Sequence, residues 1–208
     1  MFVLGLTGSI AMGKSTAAHA FRCLGVPVFD ADEAVHRLFA PSGAAVAPVA
    51  AVFPGCLDAR GGIDRTALGR LVFGDAAALE RLEAIVHPLV RAAERAFLER
   101  AAAARRPLVV LDIPLLYETG GEHLVDAVAV VSAPAFVQAQ RALRRSGMSA
   151  DRLAAIRRRQ LPDVEKRRRA DFVIPTGLDR RHSLCTIVRI VDCVRARPGR
   201  SWPHAWPV

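Results

Sequence analysis

Gly8-Ser9-Ile10-Ala11-Met12-Gly13-Lys14-Ser15 fits the pattern GxxxxGK[ST] without a gap. It follows an apolar run, Met1–Thr7 (MFVLGLT), and precedes a stretch of helical spacing from Lys14 to Leu24. That setting, strand before and helix after, is the one the motif requires. Its glycines let the backbone curl so that successive N–H groups face phosphate oxygens. The start of the helix adds its positive end. Gly8, Ala11, Met12, Gly13, Lys14, Ser15 and Thr16 are therefore candidate nucleotide-binding residues, with Lys14 reaching the β- and γ-phosphates and Ser15 holding Mg²⁺. ATP and Mg²⁺ are the expected cofactors.

Outward from this loop the chain alternates strands and helices. Short apolar runs at Val26–Phe29, Leu108–Leu111, Ala127–Val131 and Phe172–Ile174 read as four more strands. Alternation of this kind argues an α/β fold with a parallel sheet. Residues 32–105 contain no convincing strand. Apolar residues recur there at helical spacing in Ala34–Phe39, Ala67–Phe73, Leu79–Val86 and Leu89–Leu98, punctuated by Pro and Gly. Gln138 to Arg169 is helical and strongly basic, with a stop at Ser146-Gly147 and a second helix over Arg152 to Gln160. A last helix spans Arg181 to Val194, and a loosely packed tail follows. The expected fold class is thus a P-loop NTPase fold. It has a five-stranded parallel sheet flanked by helices, a helical insertion and a helical lid. The expected organisation is a core of 1–31, 106–136 and 170–197, an insertion 32–105, a lid 137–169 and a tail 198–208.

The 208 residues are 52% hydrophobic, yet no apolar run is long enough for a membrane span. The apolar start lacks a basic leader and a cleavage site, so a cytoplasmic location is expected. Cys23, Cys56, Cys185 and Cys193 form no CxxC pair and suggest reduced thiols, mostly in the core. A net charge of +9 suits an anionic partner, but almost all of it is arginine: Lys14 and Lys166 are the two lysines. Arg144–Arg145, Arg157–Arg159 and Arg167–Arg169 raise the idea of a nucleic-acid-binding ATPase. One Tyr and two Trp, the latter in the tail, give no aromatic platform for one. No nucleic-acid or membrane partner is expected.

Four further segments narrow the class. Gly25-Val26-Pro27-Val28-Phe29-Asp30-Ala31-Asp32 carries an Asp-Ala-Asp at the end of the second strand. His87-Pro88-Leu89-Val90-Arg91 and Asp112-Ile113-Pro114-Leu115-Leu116-Tyr117-Glu118 come next in order. Last come Arg141, Arg145, Gln160, Lys166 and Ala170-Asp171. Together with Gly5 through Thr16, these segments resemble the dephospho-CoA kinases, in the family's order, over about residues 3 to 177. The resemblance implies phosphorylation of the ribose 3′-hydroxyl of dephospho-CoA by ATP, the last step of coenzyme A synthesis. It implies Lys14, Asp32, Arg141 and Arg145 as catalytic residues. It implies Thr7, Asp30, Asp32, His87, Arg91, Leu116 and Glu118 as acceptor-binding residues, and Ser15 with Asp112 as metal ligands. A monomer is expected. Another small-molecule or nucleoside kinase of the same fold is the competing reading. Two positions depart from the family pattern. Met12 stands where a small polar residue is usual, so its side chain must point away from the phosphates. His36, followed by Arg37, stands where an arginine is usual.

Overall fold

The computed structural model describes residues 1–72 and 74–206. They form two compact units, Met1–Phe29 with Leu98–Val208, and Asp30–Phe97.

The first unit holds a five-stranded parallel sheet in the order β2-β3-β1-β4-β5. Its strands are β1 (Phe2–Thr7), β2 (Val28–Asp30), β3 (Leu108–Asp112), β4 (Ala127–Ser132) and β5 (Phe172–Pro175). All residues of β1, β3 and β4 are buried, which explains their unbroken apolar runs: both faces are covered. β1 is central, with Leu6 opposite Asp112 on β3 and opposite Ala129 on β4. The strand order reverses at β1, and ligands of open α/β sheets bind beyond the carboxyl ends of strands at such a point. Phe2, Leu4 and Leu6 pack with Ala17, Ala18 and Phe21 of α1 (Lys14–Cys23), and with Ile187, Ile190 and Val194 of the final helix (Arg180–Arg195). Each such large buried side chain contributes about 1.5–3 kcal/mol.

The second unit is helical: α2 (Ala31–Phe39), α3 (Val46–Val52), α4 (Arg65–Val72) and the first part of α5 (Ala76–Ala103). Phe39, Val49, Phe53, Leu68 and Val86 share one core. Aspartates start its elements. Asp30 accepts the Glu33 N–H ahead of α2, Asp64 the Thr66 and Ala67 N–H groups ahead of α4, and Asp75 the Ala78 N–H ahead of α5. Asp58 accepts the N–H groups of Gly62 and Arg60, which hold its carboxyl below the usual range.

Several expectations need correction. Leu79–Val86 and Leu89–Leu98 are one continuous helix, α5, with Pro88 inside it. The apolar stripes on both sides of Pro88, with Val86, Leu89 and Val90 in the same core, outweigh the missing hydrogen bond. Helix α3 went unread because Pro48 and small residues masked its period. The segment read as a helix over Ala67–Phe73 runs to Val72, and Phe73 lies outside the described residues. The basic stretch is three helices, α6 (Ala135–Leu143), α7 (Ala150–Arg159) and α8 (Asp163–Arg169). The tail is anchored: Asp126 accepts the N–H groups of Arg200 and Ser201, and the buried Trp206 donates to the Leu124 carbonyl. Cys56 is buried, but Cys23, Cys185 and Cys193 are exposed. Among the described residues no helix is long and apolar enough to cross a membrane.

Candidate active site

The phosphate loop leaves β1 with little room. A Cβ on Gly8 would sit 2.8 Å from the Val131 carbonyl oxygen of β4, so only glycine lets the loop start so close to the sheet. Gly13 ends the loop at φ 94°, a left-handed conformation that glycine adopts freely. Ala11 takes φ 60°, where a Cβ costs on the order of 1 kcal/mol. Met12 turns inward: it is 2% exposed, and its sulfur accepts the Ala133 N–H. No side chain caps the start of α1 at Gly13, leaving its first N–H groups for an anion.

Lys14 Nζ lies 2.6 Å from Asp112 Oδ1 at the end of β3. Asp112 is almost fully buried and Ser15 is exposed at the first turn of α1. A cleft of about 330 Å³ opens beside the loop; Gly13, Thr16, Arg141, Arg145 and Thr176 are among its lining residues, as are Leu178, Asp179, Arg180 and Ile187. Backbone N–H groups and guanidiniums suit an anion such as a phosphate chain.

Arg141 does not simply hang in solvent. Its guanidinium donates to the Thr176 carbonyl at 2.6 Å and to the Thr176 hydroxyl at 3.4 Å. That hydroxyl in turn donates to the Met12 carbonyl of the phosphate loop. Four residues apart, Arg141 and Arg145 would share one face of a continuous helix. Helix α6 ends at Leu143, so Arg145 lies past the Arg144 cap, yet both arginines line the same cleft.

Other expected contacts stand behind the surface. Thr7 is fully buried and its hydroxyl donates to the Pro114 carbonyl at 3.0 Å. Leu116 is fully buried, and a Cβ on Gly5 would come within 2.8 Å of its Cδ2. Glu118 accepts the Leu161 N–H at 2.8 Å, and its Oε1 lies 2.8 Å from the ammonium of the fully buried Lys166. Thr7 and Leu116 are thus buried against their neighbours, whereas Glu118 stays 16% exposed. Tyr117 is also held inside. Burial, reinforced by the charge of Asp171, pushes its hydroxyl up to about 12, against the pull of Arg169 stacked over its ring.

In the second unit, Asp30 ends β2 and caps α2, while Asp32 is exposed in the first turn of α2. Arg37 pairs with Glu33 on its own helix at 2.9 Å. His87 is exposed on α5. One turn on, Arg91 donates to Glu94 at 2.9 Å. Glu94 is 2% exposed, and burial raises its carboxyl against the opposing pull of Arg91.

Residues 2–178 match the family model described as "Dephospho-CoA kinase". This chain belongs to the dephospho-CoA kinase family. A curated dephospho-CoA kinase from Rhodospirillum rubrum is 60% identical over 98% of this chain and 100% of its own length. One from Mesorhizobium japonicum is 56% identical over 96% of this chain and 100% of its own. Among solved structures, TT1252 from Thermus thermophilus superposes with a TM-score of 0.80 at 36% identity, covering 92% of this chain and 96% of that one.

Two residues of this dephospho-CoA kinase site escaped the sequence reading. Thr176 follows β5 with no motif around it. Gln138 is one of two glutamines in α6. Neither carries a local signal, because each matters through partners more than a hundred residues away.

Proposed function

We propose that this chain transfers the γ-phosphoryl group of ATP to the ribose 3′-hydroxyl of dephospho-CoA, giving ADP and coenzyme A. The observation that carries the reading is the single cleft in which the uncapped start of α1 and the arginines of the arm meet. Phosphoryl transfer of this kind needs positioning and charge stabilisation more than covalent help from the protein.

The loop N–H groups receive the phosphate chain. Lys14 exchanges Asp112 for β- and γ-oxygens. Arg141 and Arg145 face the same phosphates, and water is kept out as the arm, residues 137–169, covers the cleft. The 3′-oxygen attacks the γ-phosphorus, the bond to the β–γ bridging oxygen breaks, and ADP leaves. Asp32 takes the hydroxyl proton, with Asp30 supporting it. His87 and Arg91 of the helical insertion, residues 32–105, hold the acceptor.

Ser15 and Asp112 offer a hydroxyl and a carboxylate, hard oxygen donors that fit Mg²⁺ alongside water and phosphate oxygens. Magnesium there would neutralise charge on the phosphates. The reading includes a cytoplasmic, monomeric enzyme that takes no nucleic acid, since its arginine excess has no aromatic platform beside it.

The test is ADP release over a panel of acceptors. Dephospho-CoA should support turnover far above nucleosides, sugars and small hydroxy acids. Equal turnover with any of those would replace the acceptor and leave a general small-molecule kinase.

A further inference from the structure

The backbone of Ile10, in the middle of the phosphate loop, is held through the peptide groups on both sides of its Cα. Its N–H donates to Gln160 Oε1 at 3.0 Å, and its carbonyl accepts from Gln138 Nε2 at 2.9 Å. The two glutamines come from different parts of the arm. Gln138 lies in α6 and is 5% exposed; Gln160 caps the end of α7. Their orientations follow from chemistry. A backbone N–H can only be met by the amide oxygen, so Gln160 must present Oε1. A carbonyl can only be met by the amide nitrogen, and Gln138 Oε1 faces the Arg157 guanidinium, which can only donate.

The grip is itself braced. Leu161, next to Gln160, donates to Glu118, which pairs with the buried Lys166. Ile10 and Ala11 pack with Ala139, Ala142 and Leu153 of the arm. Directly after Ile10 comes Ala11 at φ 60°. A strained residue persists where its surroundings over-determine it.

We propose that Gln138 and Gln160 are positioning residues: they clamp the two peptide groups that flank Ile10, hold Ala11 in its left-handed conformation, and so fix the phosphate loop in its nucleotide-receiving shape. The arm is thereby tied to the loop it serves. Arg141 sits one turn after Gln138 on the same helix, so an error in the loop and an error in the arginine travel together. This rests on the reading of Gly8–Ser15 as the cradle for the ATP phosphates.

The two glutamines use opposite ends of their amides, so one substitution separates them. Gln160→Glu keeps the acceptor for the Ile10 N–H. Gln138→Glu sets a carboxylate against the Ile10 carbonyl and breaks the clamp, while keeping the acceptor for Arg157. Each adds one negative charge beside the backbone of Ile10, so simple repulsion of ATP is common to both. The expected result is a KM for ATP at least about tenfold higher in Gln138→Glu than in Gln160→Glu, with a smaller difference in kcat. Adding Ala11→Gly to Gln138→Glu should recover part of that loss, since glycine needs no support at positive φ; a merely structural defect would not respond. Equal KM values in the two Glu variants, or no recovery on adding Ala11→Gly, overturn the clamp. Should Gln138→Glu not fold, Gln160→Met serves: it should raise the KM for ATP and speed hydrogen exchange at the Ile10 amide, and no change in either overturns the proposal. Lys14→Ala is the control. If it keeps its turnover, the cradle reading fails; if it is inactive while the glutamine variants behave alike, the clamp alone fails.

Discussion

Each of the two units has an apolar core of its own, but the side-chain bonds described within them differ in reach. In the sheet unit, side chains reach across the sequence: Lys14 to Asp112, Gln160 and Gln138 to Ile10, Thr176 to Met12. In the helical unit, the bonds described for Asp30, Asp58, Asp64, Asp75 and Arg91 each join residues at most four apart. Its helices share their apolar core. The difference teaches where geometry is demanded. A phosphate chain must be met at hydrogen-bond distance by fixed donors, and long-range polar bonds supply that fixity. An apolar core under local caps asks only for volume and pattern, and tolerates adjustment.

The largest effects should come from breaking this contrast at one residue on each side. Lys14→Ala removes the loop's cation, and turnover should fall on the order of 10⁴-fold. Its folded fraction, followed by circular dichroism, should stay high. Near-normal kcat in the folded variant would end the phosphate-loop assignment. In the helical unit, Asp32→Asn keeps shape but cannot accept a proton. It should lower kcat on the order of 10²–10³-fold with ATP binding nearly unchanged. A loss confined to the KM for ATP would move Asp32 out of the proton-accepting role, and Asp30→Asn would show whether its neighbour takes it.

The same contrast explains what could be read from the sequence. The sheet was legible because buried parallel strands such as Val109, Val110 and Leu111 leave nearly pure apolar runs. The phosphate loop was legible because its glycines, lysine and serine are contiguous. The supports were not. Thr176 and Gln138 act over long separations, and a single sequence carries no trace of such pairings. Leu116 and Glu118 could be picked out as motif members, but the burial of Leu116 and the pairing of Glu118 with Lys166 are tertiary facts. Helix α5 was split at Pro88 because local propensity is a weaker force than the packing that carries the helix through.

The arm offers a middle-sized test, because its arginines mix both kinds of environment. Arg145 lines the cleft, while Arg158 is exposed in the last turn of α7. Arg145→Ala should lower kcat/KM about 10²-fold, and Arg145→Lys should regain only part, keeping charge but not the planar fork. Arg141→Ala should lower kcat/KM too and also lower the melting temperature, since Thr176 loses its partner. Arg158→Ala should change stability by no more than about 0.5 kcal/mol and leave the kinetics alone. Similar, small effects at all three would make the arm a solvated basic face.

The smallest effect probes the helical unit by itself. Glu94 is buried beside Arg91, and burial is the larger influence on its carboxyl, raising it from a usual value near 4.5. A raised folded value means that folding favours the protonated form. The stability contributed by Glu94 is therefore complete below about pH 4.5 and is lost as pH rises through the raised value. Glu94→Gln is neutral at every pH and has no such loss. Glutamine keeps an amide oxygen that can still accept from Arg91. The melting temperature of Glu94→Gln relative to the unsubstituted protein should therefore climb between pH 4 and pH 7. The opposite slope would mean that the bond to Arg91 outweighs the burial of Glu94. The helical unit would then lean on a buried ion pair as the sheet unit leans on Lys14 and Asp112, and the contrast between the two would weaken.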